Sequence, residues 1–380
     1  MASLYIHIPF CERKCLYCDF YSVEGTERAA AFLAALSQEI SLRVEHTDQA
    51  SYESVFFGGG TPSLLEPAEV ECMLSRLHTA FQIRPDAEMT LEANPGTLTG
   101  DKLRALRDLG VNRMSIGIQS FHDPELKALG RIHDRAAAFR AVELARAAGF
   151  DNLSLDLIYS IPGQTLPRWE ASLRTAVDLA PQHISAYSLI VEDGTPLARM
   201  VERGQVRTNP VGREAEMYER TMEFLGAHGY EHYEVSNYAL PGFRCRHNWA
   251  YWSHENYLGF GPSAHSFWKE RDGKGGRRWW NVADLATYRD RLENGWLPVE
   301  SEEDVGPHQM LDERIFLGIR TGSLDVRRLS RDFGYDFAAQ RGKLMRWMVQ
   351  EDLVVLEQEV LRLTPRGFLL CDEICSRLLP

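Results

Sequence analysis

The chain has 380 residues, 44% of them hydrophobic and 25% charged, the make-up of a globular protein with room for two or three cores. Forty-two basic residues against 54 acidic ones leave a net charge of −12, a poor match for a phosphate backbone, so no nucleic acid is expected as a partner. Seven cysteines, an odd number, suit a reducing compartment better than a disulfide scaffold; with no leader-like start and no run near the roughly 18 apolar residues a span needs, a cytoplasmic protein without a transmembrane segment is expected.

The apolar run 4–8 predicts a first strand, and Phe10-Cys11-Glu12-Arg13-Lys14-Cys15-Leu16-Tyr17-Cys18 follows directly. Three cysteines spaced C-x3-C-x2-C need a reason. A structural zinc ion takes four ligands, and the next cysteine is Cys72. An iron–sulfur cubane can be held by three thiolates with one iron left open, and that iron suits the amino and carboxylate groups of S-adenosylmethionine (SAM). A zinc site recruiting His7, or three plain thiols, are the alternatives. Arg13 and Lys14 favour thiolates by charge, and Phe10, Tyr17 and Phe20 offer apolar cover.

Further along, runs at 54–57, 88–92, 113–118, 153–158 and 183–189 alternate with amphipathic stretches at 29–43, 67–80, 101–109, 136–148 and 167–179. The alternation predicts an α/β fold of six parallel strands with crossover helices. Gly110 and Gly149 stand where two of those helices should stop. Period alone does not separate an open barrel from a doubly wound sheet. In a parallel barrel, residues at the carboxyl ends of strands gather at one rim. Those ends carry the cysteines, Gly58-Gly59-Gly60-Thr61-Pro62, Glu92 in Leu91-Glu92-Ala93-Asn94-Pro95, and Gln119; Arg131 follows in Gly130-Arg131-Ile132-His133. Asp156 sits inside an otherwise apolar strand, where a carboxylate is costly unless hydrogen-bonded or paired.

After about residue 190 the composition changes. Five of the eight tryptophans, Trp249, Trp252, Trp268, Trp279 and Trp280, fall together, with His247, His254 and His265 among them. At the centre is Arg244-Cys245-Arg246-His247-Asn248-Trp249-Ala250-Tyr251-Trp252. An imidazole can ligate haem iron, aromatic faces can stack on a macrocycle, and arginines can pair with propionates; a packing platform under the barrel is the other reading. Residues 271–278 are expected to be a solvated turn. From about 281, helical patterns at 284–294, 309–320, 326–333 and 337–351 precede short runs at 353–356 and 360–363, which suggests a winged-helix-like module. Thr364 and Pro365 should open a last helix. Cys371 and Cys375 share one helical face and read as packing thiols. The expected units are 1–190, 191–280 and 281–380.

The cysteine spacing with Tyr17 before the third cysteine resembles the signature of the radical SAM superfamily. The flanking Tyr5-Ile6-His7-Ile8-Pro9-Phe10-Cys11 narrows it to the oxygen-independent coproporphyrinogen III oxidases and their relatives. The resemblance implies a partial (β/α)6 barrel with a [4Fe-4S] cluster on Cys11, Cys15 and Cys18. It also implies SAM held by Tyr5, Tyr17, Gly59, Gly60, Thr61, Glu92, Gln119, Arg131 and Asp156, and an electron donor for the cluster. His247-Asn248-x-x-Tyr251-Trp252 is similar to the H-N-x-x-Y-W motif of the HemW-type haem chaperones, which implies His247, Asn248, Tyr251 and Trp252 as haem residues. Two departures separate the chain from the oxidases: Phe20 stands where they carry a further cysteine, and only ten residues precede Cys11, where they have an arm. The resemblance therefore implies a carrier that binds haem and passes it to an unidentified acceptor protein. The alternative is a coproporphyrinogen oxidase or another radical SAM enzyme acting on a tetrapyrrole. Whether SAM is cleaved stays open at this level.

Overall fold

The computed structural model describes residues 2–44 and 50–379. Strand β1 (Ala2–Ile8) leads into the short pair β2 (Phe10–Cys11) and β3 (Val23–Glu24). It then pairs in parallel with β4 (Ser51–Gly59), and β5 (Gln82–Ala93), β6 (Arg113–Gln119), β7 (Leu153–Tyr159) and β8 (His183–Ser188) follow in that order. The crossover helices are Ala29–Arg43, Pro67–Ala80, Gly100–Asp108, Arg135–Ala147 and Leu166–Asp178. Alternation within the strands decides what faces where. On β1, Leu4, Ile6 and Ile8 are fully buried under helices, whereas Ser3, Tyr5 and His7 point into the barrel. Thr99 and Asp134 cap two helices by accepting from Lys102 and Ala137 N–H, and Gly110 and Gly149 adopt positive φ just beyond their ends.

The barrel stays open, because β8 pairs antiparallel with β10 (Asn237–Ala239), which pairs in turn with β9 (Glu231–Glu234), and not with β1. On its other edge β1 pairs in parallel with β11 (Asn256–Phe260). Antiparallel β12 (His265–Lys269), β13 (Gly276–Asn281) and β14 (Val299–Val305) complete a twelve-stranded sheet. The strands β9 to β13 were absent from the sequence expectation. They are three to six residues long and mix aromatic with polar side chains, so their period is too short to read. The solvated turn expected over 271–278 is shorter than that. It gives way to β13 at Gly276, and Arg278 pairs with Glu303 and Glu313.

The last unit packs helices Pro307–Arg320, Val326–Phe333 and Phe337–Gln350 against β15 (Ser323–Asp325), β16 (Val354–Glu357) and β17 (Val360–Leu363), ordered β15-β17-β16. Its separate core includes Ile315, Leu329, Met348, Leu361, Cys371 and Cys375. Thr364 accepts from Gly367 N–H at 3.0 Å and Pro365 takes the first helical position, as expected. The line expected at 281 falls inside the large sheet, and Leu285, Tyr288 and Leu292 belong to the barrel core. On packing, we propose a boundary near 305.

Candidate functional site

A cavity of about 420 Å³ opens at the carboxyl rim of the barrel. It is lined by Cys11, Cys15, Cys18, Tyr17, Gly59, Gly60, Thr61, Glu92, Gln119, Arg131 and Asp156, which come from five different βα segments. Its volume lies in the range of small-molecule sites. Tyr5 is the one expected SAM residue outside this lining. Its ring lies deeper, stacked on Phe56 and His247 at 6.2 and 6.1 Å, and its hydroxyl meets His7 Nδ1 at 3.2 Å.

The cysteine loop is braced on several sides. Val23 N–H donates to the Pro9 carbonyl at 2.7 Å and Gly25 N–H to the Cys11 carbonyl at 3.0 Å. Leu16 N–H reaches the Leu129 carbonyl at 3.2 Å, and His7 Nε2 meets the Tyr21 carbonyl at 2.8 Å. The triple glycine serves this packing. A Cβ on Gly60 would lie 2.6 Å from the Phe10 carbonyl oxygen, and one on Gly59 would meet the His7 ring. The missing side chains let β4 end directly against the loop.

Two of the sulfurs receive side-chain donors. Thr61 Oγ1 donates to Cys11 Sγ at 3.6 Å and Arg131 Nη1 to Cys15 Sγ at 3.4 Å. Asn94 joins these donors: its Nδ2 donates to Thr61 Oγ1 at 3.0 Å, and its Oδ1 accepts from Arg131 Nη2. A hydrogen-bonded bridge thus runs from one cysteine to another through Thr61, Asn94 and Arg131. Asn94 was missed as a site residue, although the Leu91–Pro95 stretch had been singled out. Burial pushes the Cys18 thiol up to about 11 and raises Cys11 as well, so a cationic partner is needed to hold thiolates here. All three cysteines line this one cavity, and three thiolates can hold an iron–sulfur cubane with one iron left open.

The opposite wall is acidic. Glu92 Oε2 accepts from Gly59 N–H at 3.2 Å, and burial followed by the Asp156 charge pushes its carboxyl up to about 8. Asp156 is raised by burial too, although it accepts from Ser115 Oγ at 3.0 Å and Ser154 Oγ at 3.3 Å. Half-buried carboxylates facing a cavity can accept hydroxyl donors such as those of a ribose. Gln119 ends β6 with φ of 66° after a register shift beyond Gly117. A side chain held there costs about 1–2 kcal/mol, and the bend turns it into the cavity. Phe20 lines the mouth and is 64% exposed, so it covers the site only from outside.

The His247 segment lies elsewhere. Helix Arg246–Trp252 closes the barrel floor, its first N–H groups at Arg246 and His247 donating to the Glu88 carboxylate at 3.1 and 3.2 Å. His247 is 1% exposed; its Nδ1 meets Ser54 Oγ at 3.0 Å and its Nε2 meets Tyr251 Oη at 2.9 Å. Burial, then the Arg113 charge, lowers its pKa to about 3. Asn248, Tyr251 and Trp252 are half-buried on the same helix, and none of the four lines the rim cavity. The histidine expected for haem is therefore a neutral, doubly bonded part of the floor.

An open parallel barrel with three cysteines on the loop after its first strand defines a radical SAM protein, and residues 5–176 match the Radical SAM superfamily. Residues 305–370 match the HemN C-terminal domain. The heme chaperone HemW of Bacillus subtilis (strain 168) is 36% identical over 378 residues, covering 98% of each chain. HemW of Lactococcus lactis (strain IL1403) is 33% identical over 99% of this chain and 97% of its own. The chain belongs to the HemW family. Among solved structures, coproporphyrinogen III oxidase (HemN) from Escherichia coli superposes with a TM-score of 0.84 over 100% of this chain and 90% of its own, at 24% identity, a likeness of fold. Membership of the radical SAM superfamily implies a [4Fe-4S] cluster and SAM, and the residues around the cavity fit both. No helix among the described residues is long and apolar enough to cross a membrane.

Proposed function

We propose that the chain is a cytoplasmic haem carrier that binds haem and transfers it to an acceptor protein, with a [4Fe-4S] cluster and SAM at the barrel rim. Cys11, Cys15 and Cys18 hold the cluster, and Thr61 and Arg131 steady two of the sulfurs. Glu92 and Asp156 accept from SAM's hydroxyls, while Arg131 pairs with its carboxylate. Gly59, Gly60 and Gln119 bring main chain and amide to the same ligand, Tyr17 covers the cluster, and Tyr5 supports the wall from beneath through His7. When reduced by an electron donor, the cluster can pass one electron to the sulfonium of SAM.

The observation that carries the carrier reading is similarity over nearly the full length to relatives named heme chaperone. Phe20, in place of the oxidases' further cysteine, supports it. The test begins with anaerobic reconstitution, where the triple Cys11→Ala, Cys15→Ala, Cys18→Ala variant should lose its iron and sulfide. The reconstituted wild type should bind haem saturably and hand it to an apo-haem protein. Failure to bind haem, together with formation of protoporphyrinogen from coproporphyrinogen, would replace the carrier by the oxidase.

A further inference from the structure

Beneath the rim, Asp156 stands at one end of a chain of buried hydrogen bonds that reaches the outer strand β9. Ser154 and Asp156 are two apart on β7 and so face the same side, and Ser154 Oγ donates to Asp156 Oδ1 at 3.3 Å. The register of β7 and β8 sets His183 beside Ser154, and His183 Nδ1 meets Ser154 Oγ at 2.8 Å. On its other side His183 Nε2 meets Tyr233 Oη at 2.8 Å. Tyr233 comes from a bulge in β9: Glu234 pairs with Asn237 and His232 with Tyr238, which leaves Tyr233 as the extra residue and re-aims its side chain. Ser154 and His183 are fully buried and Tyr233 is 2% exposed, so the three groups meet one another and not bulk solvent.

With the carboxylate as acceptor, one arrangement of protons satisfies this chain. A hydroxyl has one hydrogen, and that of Ser154 goes to Asp156, so Ser154 accepts from a hydrogen on Nδ1. Burial, then the Arg113 charge, holds the imidazole pKa well below its ordinary value and the ring neutral, so Nε2 is bare and accepts from Tyr233 Oη. All the donors therefore point toward the carboxylate. Ser115 Oγ donates to it from β6 at 3.0 Å, and the remaining acceptor capacity of Asp156 faces the cavity that it lines. The Tyr233 ring is held in turn by the Arg244 guanidinium at 5.7 Å and by Trp249 at 6.4 Å, both from the aromatic segment at the floor.

We propose that His183 is a positioning residue for the SAM ribose: as its Nδ1–H tautomer, locked by Tyr233, it fixes the Ser154 hydroxyl on Asp156 and keeps that carboxylate turned to accept ribose hydroxyls. The assignment rests on the reading of the rim cavity as a SAM site and adds two residues that lie outside its lining. They act through Ser154 and Asp156 and touch no ligand themselves.

Two measurements test it. Nitrogen NMR of the histidine-labelled apo chain, with the His183 signals assigned by their loss in His183→Asn, should show Nδ1 protonated and Nε2 bare. Equilibrium dialysis of the cluster-reconstituted full chain then compares SAM with analogues lacking one ribose hydroxyl. Wild type should prefer SAM over the weaker analogue by about tenfold or more. His183→Leu should cut that preference to about threefold or less while leaving affinity for the analogue within about threefold of wild type. Tyr233→Phe, which deletes only the last hydroxyl, should lie between, and His183→Asn, whose amide nitrogen can donate from near the place of Nδ1, should restore most of the preference. The opposite tautomer overturns the assignment. So does an unchanged preference in His183→Leu, or an equal weakening of SAM and analogue, which is what a merely structural role gives. Should His183→Leu fail to fold, Tyr233→Phe and the tautomer decide. Wild type with full iron content that binds no SAM overturns the SAM reading and this assignment with it.

Discussion

Replacing His247 by alanine should act on stability, and its size can be worked from the floor. The ring is 1% exposed and bridges Ser54 Oγ at 3.0 Å and Tyr251 Oη at 2.9 Å. Ser54 keeps a second partner, since its hydroxyl also donates to Ser3 Oγ at 2.9 Å. Tyr251 loses its side-chain partner, and a buried polar group left unpaired costs about 1–3 kcal/mol. The void beside Phe56 and Tyr5 adds about 2 kcal/mol. Together these give about 3–5 kcal/mol, a large share of a typical total of about 5–15 kcal/mol. Calorimetry on the apo chain should show a melting temperature lowered by roughly 4–8 °C. A variant melting within about 1 °C of wild type would refute the floor role and return His247 to the pool of available ligands.

Asn94→Ala breaks the bridge between Thr61 and Arg131 and should leave cluster content unchanged. The two sulfurs then lose ordered donors, so the reduction potential of the cluster, followed by electron paramagnetic resonance during a redox titration, should become more negative. An unchanged potential would show that the bridge does not reach the sulfurs. Glu92 has its folded pKa raised to about 8 from an ordinary 4.5, so its contribution to stability is full below about 4.5 and is lost as pH rises through about 8. Apo wild type should therefore lose about 2 kcal/mol relative to Glu92→Gln between about pH 6 and pH 8 in urea unfolding, and parallel curves would contradict this. Gly60→Ala puts a Cβ 2.6 Å from the Phe10 carbonyl oxygen and should lower iron and sulfide uptake, whereas Gly212→Ala, whose Cβ meets nothing within 4 Å, should not. Equal loading of the two variants would argue against a rigid contact between β4 and the cysteine loop.

The first half of the fold was legible because its strands and helices are long and their periods differ. Helices Ala29–Arg43 and Pro67–Ala80 lie where the spacing predicted them. The convergence of Cys11, Gly59, Glu92, Gln119 and Asp156 on one cavity was also legible, since they sit in or just beyond the carboxyl halves of parallel strands and those ends share a rim, while Arg131 reaches it from beyond the short helix Asp123–Ala128. Short motifs without such a frame were not. His247 in its aromatic segment reads equally as a ligand or as packing, because composition does not say which way a ring faces. What the sequence determined by itself was the chemistry available and the order of its parallel strands, both carried by local spacing. The tertiary structure alone decided that the expected haem histidine is sealed in the floor between Ser54 and Tyr251, that His183 joins Ser154 to Tyr233, and that Asn94 links two cysteine neighbourhoods. Those facts depend on contacts between residues up to 193 positions apart, which only the packing of the sheet and of the helix on its floor brings together.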